Sequence, residues 1–248
     1  MEAQTFNLKA FGIINKIRYE FRVIIYRFPL LRRLYMRIGF NLVYLSRPRW
    51  DTGKPPKELV ELVDSGVLKP GRTIDLGCGR GHAVRYLQLR GFDAWGIDAS
   101  YWAIRQAINI SSMMGLPSSF IRADVLSYTP SEKYSLVLDV GLFHNFLGEE
   151  RRSFAENGYR QYLSEGGGLL LWCKNEDNPK NAPQVSKREL LGYFSGDWQV
   201  IELRKTSLID PEKRDYYFMR AALKYRTGVK PASLERGPYD PGPSGQIP

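Results

Sequence analysis

The stretch Asp75-Leu76-Gly77-Cys78-Gly79-Arg80-Gly81 decides the fold, because it joins a short apolar run to a helical one. Arg72–Leu76 has the pattern of a buried strand, and the residues after Gly81 have the pattern of a helix. Glycines are needed in such a turn because the backbone must bend tightly and approach a ligand closely. The order strand, glycine turn and helix predicts the first unit of an α/β sheet with a ligand at the turn.

Predicted strands alternate with predicted helices along the rest of the chain. We expect helices over 8–27, 30–45, 56–65, 83–90, 101–114, about 149–163 and 187–194. We expect further strands over 94–97, 120–123, 135–140, 168–173, 198–204 and 215–223. Strands separated by helices predict a doubly wound α/β fold, in which a mostly parallel sheet carries helices on both faces.

A second acidic residue ends the next predicted strand. Asp98 follows Gly77 by 21 residues, and an acid at this strand end typically binds the two hydroxyls of a ribose. The glycine spacing differs from the dinucleotide pattern G-x-G-x-x-G, since the third glycine comes one residue early. Asp75 also precedes the first glycine, where a carboxylate suits an ammonium group and not a pyrophosphate. The ligand indicated therefore has an ammonium group and a ribose but no phosphate.

These motifs resemble those of the class I S-adenosylmethionine-dependent methyltransferases. Asp75–Gly81 is similar to their D-x-G-x-G-x-G motif, Asp98 to their ribose acid, and Ala123-Asp124-Val125 to the loop whose Asp meets the adenine. The resemblance covers about residues 47–225 and implies a Rossmann-like seven-stranded sheet of order 3-2-1-4-5-7-6, the last strand antiparallel. It implies S-adenosyl-L-methionine as cofactor. The residues implied to bind it are Trp50, Gly53, Asp75, Gly77, Cys78, Gly79, Gly81, Asp98, Ala99, Asp124, Val125, Asp139 and Val140.

A finer resemblance concerns the segment ahead of the glycine motif. Trp50-Asp51-Thr52-Gly53, with Pro55 and Pro56, resembles the W-D-x-G-x-P segment of the thiopurine, halide and thiol methyltransferases, in which it closes over the cofactor. Asp139–His144 and Val185-Ser186 resemble bacterial members of this branch. The resemblance implies an enzyme that methylates sulfur, oxygen or nitrogen of a small molecule, lipophilic ones included.

The candidate catalytic groups are Asp139, at the end of the fourth predicted strand, and His144, which follows it. Methyl transfer is an in-line displacement that depends mostly on positioning and water exclusion, but a hydroxyl acceptor benefits from a base. His144 is the candidate base, or else a buried histidine packed against the start of a helix. Asp139 either lies near the transferred methyl or caps the following loop. Trp50 and Phe143 either face the sulfonium or a planar acceptor, or pack in the core.

The remaining histidine and the two cysteines have structural interpretations. We expect His82 to open the helix behind the cofactor, Cys78 to be required only to be small, and Cys173 to lie in the core. Two cysteines form neither a disulfide framework nor a zinc-site spacing, so we expect no metal and a reducing, cytoplasmic setting.

Positive charge is concentrated in the N-terminal residues. Residues 1–50 hold ten Lys and Arg against two Glu, so they carry +8 of the chain's formal +10. Their longest uncharged stretch after residue 17, Ile38–Ser46, is too short for a membrane span, and we expect no secretion signal. We predict a basic helical extension over 1–46, a catalytic domain over 47–226 and a disordered Pro/Gly-rich tail over 227–248.

The sequence leaves open three roles for residues 1–46 and several functions for the whole protein. Residues 1–46 form a lid over the acceptor, contact an anionic membrane surface, or bind nucleic acid. The acceptor is a small molecule, or alternatively a membrane quinone or isoprenoid lipid, or an RNA guided by the basic arm. A module that binds the cofactor without turnover is a further alternative. The oligomeric state is left open by the sequence.

Overall fold

The structure, a computed structural model, describes residues 28–178, 183–207 and 214–224. The chain divides into two compact units, Met1–Ser46 and Arg47–Pro248. The predicted helix over 8–27 and the predicted disordered tail lie outside the described residues. Among the described residues, no helix has the length and apolar character needed to cross a membrane.

The elements follow the predicted alternation. The first unit contains α1 (Pro29–Val43), with a proline at the first helical position, where its missing N–H is not needed. The elements of the second unit are α2 (Lys57–Asp64), β1 (Arg72–Leu76), α3 (His82–Gln88), β2 (Asp93–Asp98), α4 (Tyr101–Met113), β3 (Phe120–Arg122), β4 (Tyr134–Val140), α5 (Gly148–Ser153), β5 (Leu163–Lys174), α6 (Lys187–Tyr193), β6 (Trp198–Ser207) and β7 (Asp215–Leu223).

Seven strands form one sheet in the order β3-β2-β1-β4-β5-β7-β6. Neighbours from β3 to β5 are parallel, whereas β7 runs antiparallel to both β5 and β6. This confirms the predicted order and the antiparallel last strand. In the register, Asp75 of β1 lies beside Gly96 of β2 and Leu138 of β4, so the carboxyl ends of these strands meet at one edge of the sheet.

The core occupies both faces of the sheet, because alternate residues of the central strands point to opposite sides. On β5, Leu169, Leu171 and Cys173 pack in one apolar cluster, and Leu170 and Trp172 pack in the other. Central strands buried on both faces explain why β4 and β5 are almost continuously apolar. The helices that cover the two faces hold the sheet edge with its loops in place.

A buried carboxylate connects α2 to strands β5 and β6 of the sheet. Glu58 is 1% exposed and accepts hydrogen bonds from Trp172 Nε1, at 3.0 Å, and from the hydroxyl of Thr206. Its partners lie in β5 and β6, 114 and 148 residues away. The contact fixes α2, and with it the chain leading into β1.

The region before β5 differs from the prediction of one helix over about 149–163. Helix α5 ends at Ser153, and a π turn (Phe154–Gly158) and a 3₁₀ turn (Tyr159–Gln161) follow. Strand β5 then begins at Leu163, five residues earlier than predicted, because Leu163 pairs with Tyr134 of β4. The irregular turns place the rings of Phe154 and Tyr159 in the core, and this burial outweighs the helical pattern.

Candidate cofactor and acceptor site

The glycine turn lies at the carboxyl end of β1, as predicted. Gly77 and Gly81 have φ angles of 72° and 74°, in the left-handed region that favours glycine. A Cβ on Gly81 would lie 2.5 Å from the ring of Phe120, and one on Gly77 would lie 3.1 Å from Leu142 Cβ. The turn therefore packs between β3 and the loop after β4, and its close approaches explain the glycines.

Asp98 holds this turn to the end of β2. Its Oδ2 accepts a hydrogen bond from Gly79 N at 2.9 Å, and its Oδ1 accepts one from Ser100 N at 2.8 Å. Burial raises the pKa of Asp98 above 3.8, although both N–H groups oppose the rise. Each carboxylate oxygen has a second lone pair, so Asp98 can organise the turn and still accept from two ribose hydroxyls.

Asp75 is the carboxylate that the protein leaves incomplete. It is 3% exposed, and its Oδ1 has no hydrogen-bond partner within the described structure. Burial, together with the negative charges of Asp139 and Asp98, raises its pKa well above 3.8. A buried, unpartnered carboxyl oxygen beside a glycine turn fits the ammonium group of S-adenosylmethionine, which would satisfy both its hydrogen bonding and its charge.

The predicted adenine contacts lie at the ends of the neighbouring strands. Asp124 Oδ1 accepts from Leu126 N at 3.0 Å, which orders the loop after β3. Val125 is 6% exposed, and its carbonyl accepts from the hydroxyl of Tyr162 at 2.9 Å. Ala99 lies directly after Asp98, and Val140 ends β4. The predicted residues therefore share the edge of the sheet that carries the glycine turn.

Cys78 is buried within the glycine turn. Its thiol is buried, and burial, with the charges of Asp98 and Asp75, raises its pKa well above 9.0. A Cβ on Gly96 would lie 2.7 Å from its sulfur. Cys78 fills the space between the turn and β2, and a protonated thiol is a poor nucleophile.

Asp139 is fully buried at the end of β4, and both of its oxygens are engaged. Oδ1 accepts from Leu142 N at 2.8 Å and from Phe143 N at 3.1 Å. Oδ2 accepts from the hydroxyl of Tyr159 at 2.7 Å. Burial raises its pKa to about 7, against the opposing effect of these donors. The geometry corresponds to the predicted alternative in which Asp139 caps the following loop.

His144 lies in the 3₁₀ turn after β4 and is 4% exposed. Its Nδ1 accepts a hydrogen bond from Lys174 N at 3.4 Å, and its ring lies edge-on to Tyr216. Burial, and then the positive charges of Lys174 and Arg151, lower its pKa well below 6.5. The imidazole is therefore neutral near pH 7, with its proton on Nε2.

The segment ahead of β1 reaches the glycine turn through Asp51. The Asp51 carboxylate contacts Arg80 Nη1 at 3.0 Å and His82 Nε2 at 2.7 Å. Gly53 N also donates to it, at 3.1 Å. Trp50, predicted either to face the sulfonium or a planar acceptor or to pack in the core, is 40% exposed on this segment. Asp51 thus ties the segment that carries Trp50 and Gly53 to the turn.

Sequence reasoning missed the groups that hold the acceptor side together. Tyr159 was not predicted, because a tyrosine 20 residues after Asp139 carries no local signal. Arg151 is 5% exposed and donates to the carbonyls of Phe146, at 2.8 Å, and His144, at 3.2 Å. The sequence placed Arg151 only within the predicted helix over 149–163. The apolar pattern of that helix did not indicate a role for this arginine.

Comparisons with known proteins agree with this geometry. A family model described as a methyltransferase domain matches residues 74–167. The 2-heptyl-1-hydroxyquinolin-4(1H)-one methyltransferase of Mycobacteroides abscessus is 32% identical over 168 residues, covering 66% of this chain and 74% of the relative. A probable thiol methyltransferase 2 of Arabidopsis thaliana is 31% identical over 138 residues, and the match spans 54% of this chain and 60% of the plant protein.

A solved structure shows the same fold. It belongs to work on the conversion of a disulfide bond into a thioacetal group during echinomycin biosynthesis. Its sequence is 23% identical to this chain. The TM-score is 0.68, with 78% of this chain and 93% of the other covered. The predicted family, fold, enzyme class and cofactor are therefore confirmed. The chain belongs to the S-adenosylmethionine-dependent methyltransferases, and S-adenosylmethionine is its cofactor.

Proposed function

We propose that the enzyme methylates sulfur or oxygen of a small, partly apolar molecule whose nucleophilic group loses its proton without an enzyme base. The names of two relatives support this class: one acts on a 1-hydroxyquinolone and the other is a probable thiol methyltransferase. An N-hydroxyl and a thiol both ionise more readily than an alcohol. A nitrogen acceptor with a free lone pair would meet the same requirement. These names favour neither a membrane quinone nor an RNA as acceptor.

This proposal rests on the hydrogen bonds that the two candidate catalytic groups, Asp139 and His144, already make within the protein. Asp139 already accepts three hydrogen bonds from the protein. His144 accepts at Nδ1, and its lowered pKa makes it a weak base. With its proton on Nε2, His144 can donate a hydrogen bond to an anionic acceptor atom. We therefore assign His144 to acceptor positioning and Asp139 to holding the loop that carries it.

Catalysis in this proposal comes from placing the reactants and excluding water. When bound, S-adenosylmethionine supplies an electrophilic methyl group, which the acceptor's lone pair takes as the bond from methyl to sulfur breaks. Asp75 would hold the ammonium group and Asp98 the ribose hydroxyls. The loop after β4 packs against the glycine turn through Leu142 and Gly77, so it can fix the acceptor relative to the methyl group.

An acceptor panel tests the proposal through release of S-adenosylhomocysteine. The panel pairs a thiol, an N-hydroxyl compound and an alcohol on similar carbon skeletons, with a halide and a quinol added. We expect the thiol and the N-hydroxyl compound to react and the alcohol to be slow. Two thiophenols of different acidity should shift the midpoint of the pH–rate curve by the difference in their own pKa values. An alcohol that reacts as fast as the thiol, or one midpoint for both thiophenols, contradicts the proposal.

Variants of His144 separate a positioning role from a base. We expect His144→Ala to lower turnover about tenfold, the usual effect of one lost hydrogen bond to a charged group. His144→Asn, which keeps an N–H donor, should retain more activity. Neither variant should move the pH midpoint. Loss of the pH dependence in His144→Ala would assign the base to His144.

For the N-terminal unit we propose peripheral contact with an anionic membrane. If the enzyme is cytoplasmic, as the cysteine content predicts, this contact would place it at the inner membrane face. Helix α1 exposes a row of apolar side chains whose spacing places them on one face of the helix. The row is Leu31, Leu34, Tyr35, Ile38 and Leu42, each 43% to 56% exposed. Residues 1–46 hold eight Lys and Arg against two Glu, and their net charge of +6 complements anionic lipid. An apolar row on a basic segment favours an interfacial helix over a nucleic-acid arm.

Co-sedimentation of the full chain with vesicles tests this contact. We expect binding to vesicles rich in anionic lipid, weaker binding to zwitterionic vesicles, and loss at high salt. The double variant Leu34→Glu/Ile38→Glu should lose binding. Leu89→Glu, at an equally exposed leucine of the second unit, is the matched control. No sedimentation with anionic vesicles at low salt contradicts the proposal. Reduced turnover of a water-soluble acceptor in a chain lacking residues 1–46 would favour the lid instead.

A further inference from the structure

The segment 47–53 is folded around the carboxylate of Asp51. This side chain is 4% exposed. Gly53 N donates to its Oδ1 at 3.1 Å, and Arg47 Nε donates to the Asp51 carbonyl at 2.9 Å. Trp50 and Gly53, which were predicted to contact the cofactor, flank Asp51 in sequence. The position of the whole segment therefore depends on what Asp51 binds.

Asp51 binds residues on both sides of Gly81 in the glycine turn. Its Oδ2 accepts from Arg80 Nη1 at 3.0 Å, and its Oδ1 contacts His82 Nε2 at 2.7 Å. These partners lie 29 and 31 residues along the chain. One carboxylate thus joins the segment before β1 to the last residues of the turn and the first residue of α3.

The hydrogen bonds around His82 have a fixed direction. Arg85 Nη2 lies 3.1 Å from His82 Nδ1, and an arginine can only donate, so Nδ1 accepts. The His82 proton is therefore on Nε2 and is donated to Asp51. Arg85 Nη1 also donates to the carbonyl of Arg80 at 2.6 Å. The row Arg85, His82, Asp51 orients the carboxylate toward the turn.

The charge of Asp51 is secured by the same neighbours. Burial opposes its ionisation, but His82 and Arg80 outweigh burial and lower its pKa to about 2. A buried ion pair adds little net stability, since desolvation offsets most of the attraction. The network is therefore better explained by the geometry that it imposes on the turn and the segment than by its contribution to folding.

We propose that Asp51 is a positioning residue that latches segment 47–53 to the glycine turn, so that both sides of the cofactor site are fixed together. The inference depends on the cofactor and not on the proposed acceptor. The latch pre-orders the segment, so the free energy of cofactor binding is not spent on ordering it. Asp51 need not touch the cofactor for this role.

Calorimetric titration with S-adenosylhomocysteine tests the latch. Asp51→Asn keeps the size of the side chain but removes its charge. We expect about tenfold weaker binding, which corresponds to the loss of one charge-assisted interaction. Hydrogen exchange of residues 47–55 should become faster in the free protein. Asp64→Asn removes an exposed carboxylate that pairs with Arg90 at 3.4 Å and is the matched control, with unchanged binding.

Kinetics and a partner variant distinguish a latch from a structural role. In Asp51→Asn the KM for S-adenosylmethionine should rise, while the acceptor KM and the saturated kcat stay close to those of the wild type. His82→Gln keeps a donor toward Asp51 and should bind more tightly than His82→Leu. If Asp51→Asn does not fold, Arg80→Met gives the same measurements.

Three results would overturn the latch: wild-type affinity in Asp51→Asn, unchanged exchange in residues 47–55, or a rise confined to the acceptor KM. Failure of the wild-type protein to bind S-adenosylhomocysteine would instead contradict the cofactor assignment. The acceptor proposal is untouched by either outcome, because the titration uses no acceptor.

Discussion

The two halves of the site treat their buried carboxylates differently. On the cofactor side, Asp75 keeps an oxygen without a partner in the described structure. On the acceptor side, Asp139 receives hydrogen bonds on both oxygens from the protein itself. An incomplete buried group anticipates a ligand, whereas a complete one maintains the fold. The comparison favours Asp75, on the proposed cofactor side, over Asp139 as the carboxylate that recognises a charged ligand.

The largest expected effect comes from removing the incomplete carboxylate. Asp75→Asn should weaken binding of S-adenosylhomocysteine by about 100-fold or more, because a buried ammonium would lose its charged partner. The unfolding temperature without ligand should stay the same or rise, since the variant no longer buries an unpaired acid. Titration calorimetry and thermal unfolding check both signs. A variant that is less stable and still binds would break the comparison.

Removal of the Asp139 carboxylate should reduce stability more than cofactor affinity. Asp139→Ala leaves two backbone N–H groups and the Tyr159 hydroxyl without their acceptor, so unfolding should require about 2–4 kcal/mol less. Cofactor affinity should change less than in Asp75→Asn. Denaturant unfolding, with calorimetry on the same samples, measures the two effects. If Asp139→Ala lost cofactor binding but kept the stability of the wild type, Asp139 would be a ligand-binding carboxylate like Asp75.

A third expectation concerns pH. The pKa of Asp139 is raised to about 7 in the folded protein, above the value of about 3.9 in an unfolded chain. The folded state therefore binds the proton more tightly, so this group favours folding most at low pH. That contribution is lost as the pH rises from about 4 through 7. Asp139→Asn should remove this part of the pH dependence, by a few kcal/mol at most, since one pKa unit is about 1.4 kcal/mol. Identical pH profiles of unfolding would contradict it.

The smallest effect is expected from the donor to Asp139. Tyr159→Phe removes one hydroxyl and should cost about 1 kcal/mol of stability. Because that hydroxyl lowers the pKa of Asp139, the variant should also move the pH-dependent loss of stability to higher pH. Turnover at saturation should change little. A large fall in turnover would show that this pair takes part in the reaction.

The sequence predicts the local motifs of the site well, but it does not predict the contacts between residues that are distant in the chain. The motif Asp75–Gly81 and Asp98 are local, since a turn and a strand end determine where they lie. Strand β1 was predicted with the bounds that the structure has. The glycines Gly166 to Gly168 obscured the early start of β5, which depends on pairing with β4. The contacts of Asp139 with Tyr159, and of Asp51 with His82, join distant residues, and packing alone determines them.

The contacts of the buried Glu58 carboxylate affect the order in which the elements can fold during synthesis on a ribosome. Helix α2 is synthesised before any strand, yet the groups that satisfy Glu58 emerge 114 and 148 residues later. Contacts so distant in sequence close late, because loop-closure entropy must be overcome first. We therefore expect the earliest residues of the domain to be locked among the last. A nascent chain stalled before Thr206 should leave α2 open to proteases while β1 to β4 are already protected.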